Sequence, residues 1–495
     1  MKKLLTYATV MFLAIACHKE TVYDYSRAEY FNGSTMMDGI GAMTGGGDRY
    51  NTIVENPFIE TSLEPVSTFS IDADGGSYSN VRRFLTEGML PPADAIRTEE
   101  LINYFNLDYP YDNSVHPLAI NGEVTTCPWQ EGHKLIRVGI KGSSLPADQL
   151  PPNNYVFLID VSGSMSSDDK LNLLKEGFLL LVDELTDKDR IAIVTYAGSA
   201  GVVLPSTSGD QKDKIRNAIN SLGAGGSTAG AQGIITAYSI AWDNFIVGGN
   251  NRVILGSDGD FNVGPSSQEE LIALIEEKRD LGIFLTVLGV GRGNLNDGMM
   301  EQVANHGNGT YEYLDNADQA KKVFIYERNK FFTIAKDVKV QVNFNPSIVQ
   351  AYRLIGYENR LLETKDFEDD KKDAGEIGMG QNITALYEIK LTETAPALRI
   401  DPVFTIDFRY KEPGNDTSVP LQLSIYDEGK SFLQSSEHTR FTASVAGFGM
   451  LLRNSEYKGT LTYQNIINWA AYASSYDPHG WKAEFLKLVE MAEGM

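Results

Sequence analysis

Three oxygen-bearing side chains follow a short apolar run in the first half of the 495-residue chain. The run extends from Tyr155 to Ile159 and leads into Asp160, Ser162 and Ser164. A continuous apolar run of this length predicts a strand buried on both faces, as in a parallel sheet. The carboxyl ends of such strands are where open α/β sheets bind ligands. Because the set offers oxygen and neither nitrogen nor sulfur, it favours a hard cation such as Mg²⁺, with Mn²⁺ or Ca²⁺ as related ions.

Two later segments supply more oxygen atoms of the same kind. The glycine-rich stretch 223–230 (GAGGSTAG) contributes Thr228 just before a helical pattern. A second apolar run, Val253 to Leu255, continues as Gly-Ser-Asp-Gly and contributes Asp258. Each of these side chains stands at the end of a predicted strand or at the start of a predicted helix, so we expect them to meet at one edge of a sheet.

Together these segments resemble the von Willebrand factor type A (VWA) domain and its metal-ion-dependent adhesion site. In that family an Asp-x-Ser-x-Ser loop, a threonine and a later aspartate hold one divalent ion, and a carboxylate of the partner fills its open position. The resemblance implies that the metal ligands are Asp160, Ser162, Ser164, Thr228 and Asp258. It also implies a binding protein, and we therefore do not expect an enzyme.

The elements around these residues alternate between helix and strand, as a doubly wound, mostly parallel α/β sheet requires. In chain order the predictions are helix 168–185, strand 191–196, helices near 210–222 and 229–243, strand 253–257, helix 267–280 and a final strand 283–290. A capping box of Ser266 and Glu269 is predicted to start the helix at 267. We place the VWA domain at 150–332.

The regions on both sides of this domain have a different pattern. Residues 57–149 contain the phrase VRRFLTEGMLPPADAIRTEELINYF, which resembles the amino-terminal region of a bacterial family that joins it to a central VWA domain and a further carboxyl-terminal region. Alternating apolar residues predict strands in 118–141 and, within a β-rich region 333–432, at 338–344 and near 385–391, 403–410 and 421–426. Helical patterns fill 433–495. Because strands flank the VWA domain on both sides, we predict that it is inserted into a β-rich host domain.

Residues 1–17 have the composition of a secretory signal: two lysines, an apolar stretch and small residues before Cys17. This ending resembles a bacterial lipobox, which implies lipidation of Cys17 and a place in the bacterial cell envelope, on the periplasmic or the cell-surface face of the outer membrane. Residues 18–56 lack an apolar period and predict a flexible tether. The second cysteine, Cys127, has no cysteine or histidine cluster around it, and we expect a buried, unreactive thiol.

The formal net charge of −23 argues against nucleic acid as a partner, since no basic patch is visible. The expected partner is a protein or surface polymer that presents a carboxylate to the metal, and the membrane is reached through the lipid anchor. A competing hypothesis is an envelope structural or assembly factor whose metal site merely stabilises it.

A third and least favoured hypothesis is an enzyme. The sequence around Asp72 and Asp74 resembles the strand-end motif of haloacid-dehalogenase-like phosphotransferases. That chemistry needs a doubly wound domain around the motif, and the sequence here continues instead into helices and alternating strands.

Overall fold

A computed structural model describes residues 47–71, 74–111, 115–197, 199–225, 231–259, 267–370, 372, 374–393, 400–415 and 417–495. In chain order its strands are β1 (Ile59–Glu60), β2 (Val66–Ser70), β3 (Leu118–Thr126), β4 (His133–Gly142), β5 (Asn153–Asp160), β6 (Arg190–Ala197), β7 (Ser199–Ser208), β8 (Asn250–Ser257), β9 (Ile283–Val290), β10 (Tyr311–Leu314), β11 (Thr333–Phe344), β12 (Val349–Ile355), β13 (Gly375–Gly378), β14 (Asn382–Leu391), β15 (Phe404–Lys411) and β16 (Ser418–Ile425). Its helices are α1 (Gly76–Thr86), α2 (Thr98–Asn103), α3 (Leu173–Glu184), α4 (Lys212–Asn220), α5 (Ala231–Asp243), α6 (Gln268–Asp280), α7 (Asp297–His306), α8 (Ala317–Lys321), α9 (Glu437–Leu452), α10 (Tyr463–Ala471) and α11 (Trp481–Glu493).

The predicted VWA domain forms a six-stranded sheet in the order β10-β9-β8-β5-β6-β7. Its strands are parallel except for β7, which runs antiparallel to β6 at one edge. Side chains along β5 alternate between two cores, with Phe157 packed among residues of α3, α4 and α8, and Leu158 packed among residues of α5, α6 and α7. Helices therefore cover both faces of a mostly parallel sheet, and the predicted doubly wound fold is confirmed.

Two strands, two helices and one helix cap of this domain differ from the prediction, and the two helices, α7 and α8, follow the strand that was expected to be the last. β7 was not expected, because its residues Ser199–Ser208 form an edge strand without a long apolar run. β9 is not the last strand, since the four residues of β10 pair parallel to it, and Glu312 interrupts their apolar pattern. The cap of α6 is one residue later than expected: the Ser267 hydroxyl accepts a hydrogen bond from the Glu270 backbone, 3.2 Å away. The predicted cap, Ser266, lies outside the described residues.

The host is a sandwich of two antiparallel sheets. One has the order β1-β12-β14-β4-β3, and the other has the order β13-β11-β15-β16, with β2 also paired to β11. Residues from both sheets share one core, among them Val340 and Ile406 from one sheet and Tyr352 and Tyr387 from the other. β4, which precedes the VWA domain, pairs with β14, which follows it. The predicted insertion into a β-rich host is therefore confirmed.

A layer of helices covers the outer face of the first host sheet. α1 and α2 pack with the carboxyl-terminal helices α9, α10 and α11 around Phe105, Phe441 and Phe485. The layer also contacts the sheet through Leu135 and Leu386. The amino-terminal and carboxyl-terminal regions of the chain thus share one core. The boundaries predicted for the separate domains stay predictions, because the described residues from 47 onward form one compact unit.

The predicted tether is too long at its carboxyl-terminal end. Asp48 is buried, and its carboxylate accepts hydrogen bonds from the backbone N–H groups of Gly293 and Leu295 at 2.7 and 3.2 Å. Tyr50 is buried as well. Residues 47–56 are therefore part of the folded structure, whereas residues 1–46, including Cys17, lie outside the described residues. None of the described helices has the length and apolar character needed to cross a membrane.

Cys127 provides a test of the core under the helical layer. Its thiol is buried, and burial raises its pKa above the ordinary value. In the Cys17→Ala variant, we expect Cys127 to react with a disulfide reagent at pH 8 about 100-fold more slowly in the folded protein than in guanidinium, because the thiolate is the reactive form. Stopped-flow absorbance measures both rates. Equal rates in the two conditions would contradict the packing described.

Candidate metal centre

The centre starts at Asp160, the last residue of β5, whose side chain is fully buried. Its Oδ1 accepts a hydrogen bond from the backbone of Ser162 at 2.8 Å, and its Oδ2 accepts one from the hydroxyl of Ser257 at 3.3 Å. Burial raises the pKa of Asp160; the hydrogen bonds from Ser162 oppose this rise, and the negative charge of Asp258 adds to it. A nearby cation would relieve this unfavourable burial of charge.

The two serines of the motif lie side by side. A 3₁₀ turn at Gly163–Ser166 follows β5, and the fully buried Met165 fixes it against the domain core. The hydroxyl oxygens of Ser162 and Ser164 are 2.9 Å apart. Ser162 is buried and Ser164 is exposed, so one side of the hydroxyl pair is open to solvent and to a ligand.

Asp258 is brought to the same edge by the sheet. β8 runs parallel beside β5 with Gly256 opposite Ile159, and Asp258 directly follows β8. Burial opposes the charge of Asp258, but hydrogen bonds from Lys170 and Asn294 outweigh this effect and lower its pKa. Its Oδ1 is buried and accepts no hydrogen bond from the part of the chain that the structure describes. A buried carboxylate oxygen without a donor is a position that a metal ion can fill.

Lys170 is a further member of the candidate centre, and the sequence pattern does not predict it. It lies in a π-helical turn, Asp168–Asn172, and its Nζ donates to Oδ2 of Asp258 at 2.8 Å and to Oδ1 of Asn294 at 3.0 Å. Gly291, with φ of +72°, makes room for the lysine stem, because a Cβ there would collide with it. A lysine in the polar first turn of a predicted helix ordinarily predicts a solvated side chain, so no local pattern indicates this contact.

Thr228 lies outside the described residues, as do the other residues of 226–230. The chain just before it is held at the centre, since the backbone N–H of Gly225 donates to the carbonyl oxygen of Val161 at 2.8 Å. Val161 stands between Asp160 and Ser162 in the motif loop. Thr228, the predicted ligand, is thus three residues beyond Gly225, which is hydrogen-bonded to the motif loop.

The donors of the centre fit a hard divalent cation. They are two carboxylates and two hydroxyls, with one carboxylate oxygen left without a donor. Across the described ranges, no group of three or more histidine, cysteine, aspartate or glutamate side chains could hold a metal ion. The hydroxyls would therefore have to complete the coordination. Because Lys170 balances one of the two carboxylates, the three charged groups together carry one net negative charge.

The motif that suggested a phosphotransferase follows a strand of the antiparallel host. Asp72 lies outside the described residues, but the strand before it, β2, pairs antiparallel with β11 of the host. Asp74 is buried, with Oδ1 accepting from the backbone of Tyr311 at 2.8 Å and Oδ2 lying 3.7 Å from Arg360. This strand belongs to an antiparallel sandwich, whereas that chemistry needs a doubly wound sheet around the motif.

Comparison with known proteins extends these observations. The family profile described as von Willebrand factor type A domain matches residues 154–324, the profile described as von Willebrand factor matches 44–137, and the profile described as Uncharacterized protein YfbK, C-terminal matches 329–495. The chain is 42% identical over 470 residues to the Uncharacterized protein YfbK of Escherichia coli (strain K12), covering 90% of this chain and 81% of that protein.

More distant similarities cover parts of the chain. A UPF0353 protein of Mycolicibacterium gilvum (strain PYR-GCK) is 26% identical over 221 residues, which cover 39% of this chain and 65% of that protein. Among solved structures, the von Willebrand factor type A protein from Catenulispora acidiphila is 15% identical with a TM-score of 0.43, covering 78% of this chain and 92% of that one.

The fold, the motif loop and the matching profile define a VWA-domain protein. Proteins of this class mediate protein–protein interaction, commonly bind a divalent metal and are generally not enzymes. Given its identity to the Escherichia coli protein over most of both chains, this chain belongs to the YfbK family.

The ion pair of Lys170 with Asp258 leads to a prediction about metal affinity. In Lys170→Met we expect the dissociation constant for Mg²⁺ to decrease about tenfold, or ~1.4 kcal/mol, because a positive charge beside a ligand carboxylate opposes a second cation. Calorimetric titration measures this. Lys175→Met is the matched control, since the Lys175 ammonium donates to backbone carbonyls at Asn220 and Leu222. Unchanged or weaker binding in Lys170→Met would contradict the prediction.

Proposed function

We propose that this protein is a lipid-anchored adhesion-type protein of the bacterial cell envelope. It binds a divalent cation, Mg²⁺ or alternatively Mn²⁺ or Ca²⁺, through Asp160, Ser162, Ser164, Thr228 and Asp258. Through that ion it binds a protein or surface polymer that presents a carboxylate. The observation that carries the proposal is the buried Oδ1 of Asp258, which has no donor among the described residues and stands at the same sheet edge as the buried Asp160 and the Ser162–Ser164 hydroxyl pair.

The charge of the centre favours a carboxylate as the partner group. Two carboxylates already partly balanced by Lys170 leave a bound divalent ion with a net positive charge. Hydroxyl ligands are neutral, so they stabilise the ion without cancelling this charge. A carboxylate from outside supplies the missing negative charge. The exposed side of Ser164 gives it access.

The ligand carboxylates can be tested without losing the fold. Because burial raises the pKa of Asp160 in the folded protein, its ionised form costs folding free energy at neutral pH, and this cost disappears when the side chain is neutral. We therefore expect Asp160→Asn to melt no lower than the wild type in the absence of metal. We expect the same variant to bind Mg²⁺ at least about 100-fold more weakly, since a neutral amide cannot balance a divalent charge.

The experiment combines titration with capture in cells. Calorimetry with Mg²⁺ and Mn²⁺ compares the wild type with Asp160→Asn and Asp258→Asn. Asp168→Asn serves as the control, because Asp168 is exposed on the same loop and its carboxylate accepts a hydrogen bond from the Asn172 side chain. Crosslinking in cells, with Mg²⁺ and with chelator, then identifies the partner. Equal metal affinity in the wild type and Asp160→Asn would refute the proposal.

A second candidate function has one observation in its favour. The ion pair between Lys170 and Asp258 already satisfies part of the centre without any metal. This is what an envelope structural or assembly factor with a merely stabilising site would show. The capture experiment separates the two: partners that survive chelation and Asp160→Asn support the assembly factor, and partners lost in both support adhesion.

The membrane anchor is proposed from Cys17 and its lipobox-like context, and it has its own test. In Cys17→Ala we expect most of the protein to move from the membrane fraction to the soluble fraction, since no other membrane attachment is proposed. Cys127→Ala is the matched control and should stay with the membrane. Fractionation at high salt followed by immunoblotting measures the distribution. Retention of Cys17→Ala in the membrane would show that the anchor is elsewhere.

A further inference from the structure

A cavity of about 330 Å³ lies at the junction between the VWA domain and the host, remote from the metal centre. The VWA domain contributes Arg252 and Thr310 to its wall, and the host contributes Arg360, Lys372 and Glu376. This volume is within the range of small-molecule sites. Charged groups lie on both walls of the cavity, so their pairing decides which ligand it can bind.

Arg252 is a buried cation in the wall of this cavity. It stands near the start of β8 and is only 2% exposed. Its guanidinium donates to the hydroxyl of Thr286 at 2.8 Å and to the carbonyl of Phe331 at 2.9 Å, and its carbon lies 5.5 Å from each of the ring centres of Phe284 and Phe331. In the described part of the chain it forms no ion pair. Burial accordingly lowers its pKa to about 10.

Among the other cationic groups of the wall, Arg360, His306 and Lys330 lie in ion pairs, and Lys372 is exposed to solvent. Arg360 lies 3.5 Å from Glu301 and 3.7 Å from Asp74, and His306 lies 2.8 Å from Glu276. These pairs leave Arg252 as a buried cation without an adjacent carboxylate.

Two further groups, Glu376 and Thr310, complete the wall. Glu376 accepts a hydrogen bond from the side chain of Asn308 at 2.7 Å and exerts a weaker, more distant attraction on Arg252. The hydroxyl oxygen of Thr310 is buried and has no hydrogen-bond partner among the described residues. An isolated buried charge and an unpaired buried hydroxyl are both costly.

We propose that this cavity binds a small oxyanion, a carboxylate or a phosphate, whose oxygens accept hydrogen bonds from Arg252 and Thr310. A guanidinium can hold such an anion through two parallel hydrogen bonds, which adds geometric selectivity to the charge. The bound anion would contact both the VWA domain and the host and would stabilise their junction.

The test uses inorganic phosphate and succinate as probes, titrated calorimetrically into the full chain at constant ionic strength with chelator present. We expect saturable binding of at least one probe to the wild type and a loss of about tenfold or more in affinity in Arg252→Met. Arg190→Met is the matched control, because Arg190 also begins a strand of the same sheet and donates to Ser206 outside the cavity.

Stability gives a second readout. Methionine keeps much of the arginine stem, but it removes the donors to Thr286 and Phe331, so each protein is melted with and without anion. We expect the anion to raise the melting temperature of the wild type more than that of Arg252→Met. Phosphate stabilises proteins in general. The test therefore compares how far phosphate raises the melting temperature of the wild type and of Arg252→Met. If Arg252→Met fails to fold, Thr310→Val, which keeps the side-chain shape, should still weaken binding of the probe.

The outcomes are distinct. Binding of phosphate alone, succinate alone or both, lost in Arg252→Met and kept in Arg190→Met, supports the proposal and identifies the class of oxyanion. No saturable binding of either probe to the wild type, or equal affinity in the wild type and Arg252→Met, overturns it.

Discussion

The pairing of β4 with β14 is the constraint on which the rest of the structure depends. It joins residues before the VWA domain to residues after it, from His133 opposite Lys390 to Lys141 opposite Asn382. The chain must therefore leave and re-enter the host at neighbouring points, and Ile334 indeed contacts Gly142 closely. A compact domain whose ends lie close together can be inserted at such a point at little entropic cost, since the inserted chain is ordered by its own core.

Buried ion pairs then fix the orientation of the inserted domain. Arg97 of the amino-terminal region pairs with Asp297 and Glu301 on α7, and Arg82 pairs with Asp315 after β10. Such pairs contribute little net stability compared with apolar contacts, but an alternative orientation would leave each charge buried and unpaired. The VWA domain is consequently held in one arrangement against the host. The candidate metal centre and the cavity lined by Arg252 lie at opposite ends of β8, about 20 Å apart for a strand of this length.

Much of this could be predicted from the sequence, and the failures share a cause. The apolar runs of β5, β6, β8 and β9 predict buried parallel strands because a continuous run has one simple solution. β7, β10, β12 and β13 are short or carry polar residues, and they form strands because a neighbouring edge is available to pair with. Pairing partners are a property of the assembled fold and leave no local period.

The site likewise contains residues that local sequence predicts and residues whose contacts depend on tertiary packing. The motif places Asp160, Ser162 and Ser164 close together in the chain, and the strand pattern places Asp258 beside them. The set of oxygen donors can therefore be predicted from the positions of the strand ends. Lys170 and Arg252 depend on what packs around them. Nothing in a single sequence distinguishes a lysine that reaches a buried carboxylate from one that faces water, or an arginine enclosed by Phe284 and Phe331 from one on a surface.

The amino-terminal segment connects the candidate centre to the part of the chain that leads toward Cys17. Asp48 accepts hydrogen bonds from the backbone on both sides of Asn294, and Asn294 in turn accepts a hydrogen bond from Lys170, which also donates to Asp258. Arg83 of α1 donates to the other oxygen of Asp48 at 2.8 Å, which fixes this carboxylate from the opposite side. Since each contact in the series is buried or half-buried and made by a charged or amide group, a displacement of residues 47–50 would alter the position of Lys170. The geometry of the candidate metal centre therefore depends on residues 47–50, a segment that the sequence pattern had assigned to a tether.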